Sequence, residues 1–268
     1  MNVLSRREDG YHNIETVFFR LGEPSDEIEV SDAEEFQITC TDSKLPTDTS
    51  NIIVKTIQAC AELHGETMPP LHIHLQKHLP MGAGIGGGSA NAATAIDIYS
   101  EYVHSLDSSQ KQTIAEKVGA DVPFFVSGYQ AAIGSGKGEI LRPLIFPMVY
   151  SILLVKLDDI FISTKEAYEN IDRTKEKRTS DLSFVTRLPI DMWRTYLTND
   201  FEPFAFDRFP QLSMIKEMMY LHGAEFALMS GSGSLIYGIF ENSENALTLQ
   251  REFSVMFPGA FTSIVKTQ

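Results

Sequence analysis

Short stretches of alternating apolar and polar residues dominate the beginning of the chain. They cover residues 26–31 and 35–41, and another follows at 72–75. A period of two is typical of strands with one buried face. Residues 14–21 are predicted to be a strand as well, because turn residues bound this largely apolar segment on both sides. Between these strands, the apolar residues of 52–64 recur at helical spacing. The first part of the chain is therefore predicted to contain four strands and a helix.

The rest of the chain mixes both patterns. Helices are predicted at 89–102, 109–118, 211–222 and 243–255. Strands are predicted at 124–133, 138–142, 149–157, 225–229, 234–240 and 260–266. Because strands and helices interleave in both halves and hairpins are present, the pattern predicts an α+β protein. Pro143 and Pro147 mark the expected boundary, which gives domains at 1–146 and 147–268.

The composition narrows the class of protein. The chain has 268 residues, 43% of them hydrophobic, and a formal net charge of −14. No apolar run is long enough to span a membrane, and no signal-peptide stretch opens the chain, so we expect a cytoplasmic protein without a membrane partner. A polyanionic surface repels nucleic acid, so none is expected as a partner. Any phosphate must then be bound locally, by aimed backbone N–H groups.

The residues that could bind a metal show no metal-site spacing. Cys40 and Cys60 are far apart and are expected to be free thiols. His72, His74 and His78 are expected to diverge along a strand and a turn, so no zinc site is predicted.

A glycine-rich loop precedes the predicted helix at 89–102. Five of the seven residues from 82 to 88 are glycine, which costs backbone entropy and therefore indicates a geometric requirement. Glycines allow positive φ and close approach of a phosphate, and a following helix presents unpaired N–H groups at its positive end. The loop is thus predicted to bind phosphate. The alternative is a flexible turn capped by Ser89.

Other phosphate-binding motifs fit less well. No Gly-Lys-Ser/Thr of a Walker A motif follows the loop, and the similar-looking stretch at 134–138 is better interpreted as a hairpin turn. Gly82, Gly84 and Gly87 match a dinucleotide fingerprint formally, but Asp107 follows a helix instead of ending a second strand.

Three further segments carry candidate chemistry. Asp9-Gly10 forms a tight turn that displays Tyr11 and His12, which could stack on and pair with a base, although a core tyrosine and a surface histidine are the plainer interpretation. Asp121 lies in Gly-Ala-Asp-Val-Pro and could take a proton from a hydroxyl, or simply begin a turn. Alternating Ser and Gly at 230–233 could form a ligand-binding turn or a plain hairpin.

Together these motifs resemble those of the GHMP kinases. Leu79–Asn91 is similar to their phosphate loop, and Gly-Ala-Asp-Val-Pro and Met-Ser-Gly-Ser-Gly are similar to two of their other motifs. The triple glycine before Ser-Ala-Asn and the segment Arg-Glu-Asp-Gly-Tyr-His look like the diphosphocytidyl-methylerythritol kinase branch in particular.

The resemblance implies a role for each matching residue. Asp121 would be the catalytic base, and Tyr11 and His12 would hold a cytidine. The implied ATP contacts are Asn51, Lys77, Pro80, Met81, Gly82, Ala83, Gly84, Ile85, Gly86, Gly87, Gly88, Ser89 and Ala90. Further substrate contacts would come from Ser163, Thr164, Ser230, Gly231, Ser232 and Gly233. For Asn51 and Lys77, a helix cap and a solvated lysine stay open as alternatives.

The resemblance also implies a fold and a reaction. The expected fold is a ribosomal-S5-like N-terminal domain followed by a ferredoxin-like C-terminal domain. The expected reaction is the ATP-dependent phosphorylation of a cytidine-diphosphate alcohol at its 2-hydroxyl, with Mg²⁺ accompanying ATP and Ser89 as the only protein ligand suggested. Homoserine or a mevalonate-like alcohol is the alternative acceptor.

One departure from the family pattern concerns the N-terminus. The family has a strand similar to Ala-Lys-Ile-Asn-Leu just before this segment, and the sequence here begins at Met1, after that position. Its lysine would neighbour the catalytic aspartate. We therefore expect an open sheet edge, and a nucleotide-binding protein without turnover remains a further alternative.

Overall fold

Residues 1–145, 150–171 and 181–267 are described by the computed structural model. The N-terminal half carries two sheets and four helices. Its strands are β1 (Asn2–Arg6), β2 (His12–Phe19), β3 (Glu27–Asp32), β4 (Gln37–Cys40), β5 (Leu71–Gln76), β6 (Ala131–Ser135) and β7 (Ile140–Leu144). Its helices are α1 (Ile52–His64), α2 (Gly87–Tyr102), α3 (Ser108–Val118) and α4 (Val122–Val126).

The two N-terminal sheets have the orders β1-β2-β6-β7 and β3-β5-β4. Only the β4–β5 pair is parallel. Strand β1, which the sequence pattern did not predict, pairs with β2 from Asn2↔Glu15 to Arg6↔His12. Strand β1 thus covers one side of β2 and is itself an edge strand of this sheet.

One N-terminal prediction is wrong. The strand expected from residue 124 begins only at Ala131, because Val122–Val126 forms the helix α4. Pro123 lies in the first turn of α4, where its missing N–H costs nothing. Val122 and Phe124 are buried, so the apolar run that suggested a strand is buried by a short helix instead. The expected hairpin turn after β6 is confirmed, since β6 and β7 pair around residues 136–139.

The C-terminal half carries one antiparallel sheet and six helices among the described residues. Its strands are β8 (Ser151–Lys156), β9 (Phe226–Met229), β10 (Ile236–Phe240) and β11 (Phe261–Lys266). Its helices are α5 (Thr164–Glu169), α6 (Leu182–Val185), α7 (Ile190–Tyr196), α8 (Glu202–Arg208), α9 (Pro210–Leu221) and α10 (Ser243–Met256).

The order of this sheet, β11-β8-β10-β9, is that of a ferredoxin-like unit. Helix α9 leads into β9 and α10 leads into β11, which gives the expected βαββαβ arrangement. Helices α5 to α8 are inserted between β8 and α9. Helices α5, α7 and α8 were not predicted, since each is too short for a helical period to stand out. Helix α6 lies in the polar segment 170–187, which the sequence predicts to be a surface helix and loop and of which residues 172–180 lie outside the described residues.

The hydrophobic cores join the two halves. Val3 and Ile14 of the first sheet are buried among C-terminal residues that include Phe201 and Phe240. Ala83 of the glycine loop packs with C-terminal residues as well. A second core lies wholly in the N-terminal half, between α1, α2 and β5. The boundary predicted between residues 146 and 147 lies outside the described residues.

Two smaller features complete the fold. Cys60 is buried and burial raises the pKa of its thiol to about 12, while Cys40 is half-buried; both are free thiols, as predicted. No helix within the described ranges is both long and apolar enough to cross a bilayer.

Candidate active site

The glycine loop enters α2 through three left-handed residues. Gly82, Gly84 and Gly86 have φ values of 63°, 71° and 72°, a region that other residues rarely adopt. Gly86 is the N-cap of α2 and brings no side chain to the first N–H groups of the helix. Ser89 is therefore not the cap. The first turn of α2 keeps unpaired donors at the positive end of the helix dipole, which is a suitable site for an anion.

The second glycine turn lies directly on the first. Ser230 Oγ donates to Gly84 O at 2.8 Å, and Leu235 N donates to Ala83 O at 3.3 Å. A Cβ added at Gly84 would lie 2.3 Å from Ser230 O, so no other residue fits at this contact. The two turns, far apart in sequence, thus meet main chain to main chain.

A cavity of about 300 Å³ opens beside the loop. It is lined by Leu45, Asn51, Ile52, Ile53, Leu75, Lys77, Pro80, Met81, Gly82, Ala83, Gly84, Ile85, Gly86, Gly87, Gly88, Ser89 and Asn91. The structure therefore brings together all the sequence-predicted ATP residues except Ala90, which is not part of this lining. The volume is at the small end for a ligand pocket.

Asn51 and Lys77 lie on the wall of this cavity in different ways. Asn51 is the N-cap of α1, where its side chain accepts from Ile53 N at 2.8 Å, so the helix-cap interpretation is correct. Lys77 is not a solvated lysine: its side chain is 10% exposed and forms an ion pair with Asp26. Asp26 was not singled out from the sequence, because a single Asp before a strand carries no local signal.

Asp121, the candidate base, precedes α4. In the described part of the chain its carboxylate accepts no hydrogen bond, and burial raises its pKa. Helix α4 carries Phe125 against the glycine loop, since a Cβ added at Gly86 would lie 3.1 Å from the Phe125 ring. Phe125, four residues after Asp121, thus lies against the loop, and burial shifts the protonation equilibrium of the Asp121 carboxyl toward higher pH.

The hairpin turn between β6 and β7 lies next to Asp121. A Cβ added at Gly138 would be 3.5 Å from Asp121 Oδ1. The same turn carries Lys137, whose Nζ lies 4.9 Å from the centre of the Tyr11 ring. Tyr11 is 57% exposed, so it is not a core residue. Sequence reasoning identified the turn but not its position at the site.

His12 and Tyr168 form an aromatic pair near Asp121. The His12 ring stacks on Tyr168 of α5, with ring centres 4.7 Å apart and planes at 15°. Burial, and after it the neighbouring Asp121 charge, raise the pKa of the Tyr168 hydroxyl to about 12. Tyr168 thus stacks on His12 and lies near enough to Asp121 to sense its charge. It was missed because it lies on a helix of only six residues.

The C-terminal half contributes hydroxyls and a buried amide. Ser163 caps α5 by accepting from Glu166 N at 3.1 Å, and Thr164 Oγ1 lies 3.1 Å from Ser232 Oγ. Asn199, 2% exposed, donates to Met229 O and to Gly231 O, both at 2.8 Å. Asn199 was also missed. It holds the second glycine turn from behind.

No three His, Cys, Asp or Glu side chains cluster as a metal site in the parts of the chain that the structure describes. His72 and His74 do not diverge as the sequence predicts, since His72 Nε2 and His74 Nδ1 both lie within hydrogen-bond distance of Thr39 Oγ1, at 2.8 and 2.7 Å. His78 lies apart, 3.6 Å from Glu27.

Comparison with known proteins defines the class. The model of the GHMP kinase N terminal domain matches residues 51–129, and that of the GHMP kinase C terminal domain matches residues 188–258. A homoserine kinase from Cytophaga hutchinsonii shares the fold, with a TM-score of 0.70 at 17% identity over 94% of this chain and 90% of its own. The fold and both domain models are therefore those of a GHMP kinase.

More similar relatives specify the branch. A 4-diphosphocytidyl-2-C-methyl-D-erythritol kinase from Parabacteroides distasonis is 36% identical over 90% of this chain and 88% of its own. One from Nitratidesulfovibrio vulgaris is 37% identical over 92% and 88%. A crystal structure of a 4-(cytidine 5'-diphospho)-2C-methyl-D-erythritol kinase matches with a TM-score of 0.78 at 27% identity, over 100% of this chain and 95% of that one. The chain belongs to the 4-diphosphocytidyl-2-C-methyl-D-erythritol kinase family, which confirms the predicted family and fold.

Proposed function

We propose that this protein transfers the γ-phosphate of ATP to the 2-hydroxyl of 4-diphosphocytidyl-2-C-methyl-D-erythritol, a step of non-mevalonate isoprenoid synthesis. The observation that carries the proposal is the position of Asp121. This carboxylate is linked to the glycine loop through Phe125 on Gly86 and neighbours Tyr168, which stacks on His12. In this proposal, Asp121 takes the proton of an acceptor hydroxyl whose phosphate donor is held by the glycine loop and whose base contacts the aromatic rings.

The reaction needs little covalent chemistry from the protein. The acceptor oxygen attacks the γ-phosphorus, the bond between that phosphorus and the β–γ bridging oxygen breaks, and ADP leaves. The proton of the acceptor hydroxyl passes to Asp121, and the raised pKa of this carboxyl suits that role. The N–H groups at the start of α2 hold the phosphates in line and offset their charge.

Magnesium is expected to arrive with ATP. Mg²⁺ takes oxygen ligands, keeps several waters and is commonly held by substrate phosphates together with few protein groups. A loop of backbone N–H groups without a carboxylate cluster among the described residues fits a metal carried by the nucleotide. The hydroxyl of Ser89, in the first turn of α2, is the protein ligand we propose for it. The metal would neutralise charge on the transferring phosphoryl group.

The residues around His12 are proposed to bind the cytosine base and the diphosphate of the substrate. His12 and Tyr168 offer stacked rings, and Tyr11, largely exposed, offers a further ring beside the ammonium of Lys137. Aromatic faces suit a cytosine, and a lysine suits an anionic linker. Ser163, Thr164 and the turn at 230–233 would contact the substrate from the C-terminal half. A plain alcohol such as homoserine has no base to contact these aromatic faces.

We expect ATP and the diphosphocytidyl alcohol to be the partners of this protein, and no nucleic acid or membrane. We expect the reaction to take place in the cytoplasm. The net charge of −14 disfavours binding to other polyanions. ATP is bound in spite of this charge because its phosphates meet local N–H donors.

A substrate panel tests the proposal. ADP release and phosphorylated product are measured with the diphosphocytidyl alcohol, homoserine and mevalonate in turn. Turnover is expected only with the cytidine-containing alcohol. Equal turnover of a plain alcohol would indicate another GHMP kinase, and ATP binding without any product would indicate a nucleotide-binding protein.

A matched pair of tyrosine variants then tests the base site. Tyr11→Leu should raise the KM for the diphosphocytidyl alcohol and leave the KM for ATP unchanged. Tyr102→Leu removes a tyrosine of almost the same exposure, 56% against 57% for Tyr11, from the end of α2 and should change neither. A rise in both KM values for Tyr11→Leu would contradict the proposed role.

A further inference from the structure

Asp26 is a buried carboxylate with four donors around it. Its side chain is 0% exposed. Oδ1 accepts from His78 N and from Leu79 N, both at 2.9 Å. Oδ2 accepts from Asn91 Nδ2 at 2.8 Å and from the ammonium of Lys77. The donors come from the segment that leads into the glycine loop and from α2, which follows the loop.

The ammonium of Lys77 is occupied by this contact. The Lys77 side chain is 10% exposed, although the residue lines the cavity beside the loop. Removing the cationic partner of a buried carboxylate strongly destabilises the folded protein. The lysine charge is therefore already compensated by Asp26 before any nucleotide arrives.

The position of the Asp26 charge matters for phosphate binding. A Cβ added at Gly87, the first residue of α2, would lie 4.0 Å from Asp26 Oδ2. An uncompensated carboxylate there would repel phosphates at the same helix end that is meant to attract them. With Lys77 paired to it, the carboxylate can fix the backbone on both sides of the loop without opposing the ligand.

We propose that Asp26 is a positioning residue and that Lys77 acts on ATP through it, by cancelling the Asp26 charge and not by gripping a phosphate. The inference rests on the proposed ATP site and goes beyond it, because it assigns the pair a joint role. Neutrality of the pair is the property that matters. Removing either charge alone should change the affinity for ATP relative to that for adenosine. Removing both charges should restore the wild-type ratio.

The test compares the Kd of ATP with the Kd of adenosine, by titration calorimetry with displacement for the weaker ligand. Losses of packing affect both ligands, whereas charge affects ATP alone. Lys77→Met should weaken ATP by about tenfold or more relative to adenosine, since one uncompensated charge acts on the phosphates. Asp26→Asn should shift this ratio in the opposite direction. The double variant should return to within about threefold of the wild-type ratio, because the two charge effects cancel.

An exposed ion pair provides the matched control. Lys117 and Glu62 are in contact at 2.7 Å and are 62% and 50% exposed. Lys117→Met and Glu62→Gln should leave the ratio unchanged. If Lys77 gripped a phosphate directly, the double variant would stay as weak as Lys77→Met, and the proposal would be overturned. If the wild-type protein bound no ATP at all, the proposed function would fail instead.

Amine labelling of the wild-type protein covers the case in which a variant at this buried pair does not fold. Without nucleotide, Lys77 should react more slowly than Lys117 with a small acylating reagent, and ATP should not change its rate. A Lys77 rate that equals that of Lys117 and falls only when ATP is added would overturn the proposal. Peptide mass spectrometry reads both lysines in one sample.

Discussion

Two glycine-rich turns meet at the candidate active site, and they differ in which backbone N–H and C=O groups are paired. The turn at 82–88 opens into α2, where Gly86 caps the helix without a side chain. The turn at 230–233 joins two antiparallel strands and is closed by Ser230 N to Leu235 O at 2.8 Å and Gly233 N to Ser230 O at 2.9 Å. Asn199 satisfies two of its neighbouring carbonyls.

This difference separates two uses of glycine. In the first turn, positive φ values aim N–H groups outward, so the turn can bind an anion. In the second, the absence of a side chain allows close contact with the first turn, and most of its polar groups are already paired. The turn at 82–88 is therefore expected to bind the phosphates, and the turn at 230–233 to hold the first turn in place beside its proposed substrate contacts.

The largest effect is expected at Gly84, where the two turns touch. An added Cβ would lie 2.3 Å from Ser230 O, at a φ of +71°, so Gly84→Ala should cost roughly 2–4 kcal/mol of stability. ATP binding should be lost with it. Thermal unfolding and calorimetric titration measure the two effects.

Gly88→Ala is the matched control for this variant. Gly88 lies inside α2, and the nearest atom to an added Cβ would be Ile52 Cγ2 at 3.9 Å. Its stability should stay within about 1 kcal/mol of wild type, since alanine favours a helix. Equal losses for Gly84→Ala and Gly88→Ala would show that the close contact between the turns is unimportant.

Asp121→Asn tests whether the chemistry belongs to the N-terminal side. The amide keeps the shape but cannot take a proton, so kcat should fall by about a hundredfold or more. The Kd of ATP should barely change. Asp97→Asn, at an exposed carboxylate that pairs with Lys111, should leave kcat unchanged, and a near-normal kcat for Asp121→Asn would remove Asp121 from the mechanism.

The pH profile adds a check on the same residue. Burial raises the pKa of the Asp121 carboxyl, and only its deprotonated form accepts a proton. Activity should therefore fall as the pH drops through this raised pKa, so the acid limb of kcat/KM should lie above the usual range for an aspartate. The limb should be absent in the residual activity of Asp121→Asn.

Asn199→Ala tests the supporting role of the C-terminal side. It would leave Met229 O, Gly231 O and Phe201 N without the partner that each has in the structure, at a cost of about 3 kcal/mol. Denaturant unfolding measures this cost. Asn170→Ala, which removes an exposed side chain from the end of α5, should cost no more than about 0.5 kcal/mol. Similar losses for both variants would contradict the supporting role.

Ser230→Ala should have the smallest effect. It removes one hydrogen bond, from Ser230 Oγ to Gly84 O, which contributes about 1 kcal/mol. For a chain of this size the melting temperature should fall by about 2–4 °C. Ser232→Ala, in the same turn, removes a hydroxyl that contacts the exposed Thr164 hydroxyl, and should lower the melting temperature less. The reverse order would indicate that the turns are not held together by the Gly84 contact.

The parts of the site that could be predicted from the sequence are those formed by residues close together in the chain. The glycine loop, the helix after it and the Asn51 cap were readable because each depends on neighbours within a few residues. The strand expected over 124–130 was wrong because an apolar run of that length fits a strand or a buried helix equally well. Short helices such as α5 escaped detection, and Tyr168 with them.

By itself, the sequence determined the α+β class and, through its motifs, the family, because both are recorded in patterns of consecutive residues. The phosphate loop and the candidate base are predictions from the same motifs. The tertiary structure alone decided that Asp26 neutralises Lys77, that Tyr168 stacks on His12, and that the hairpin at 136–139 borders Asp121. These pairs join residues many positions apart. Their contacts arise from sheet order and helix packing, which no local pattern records.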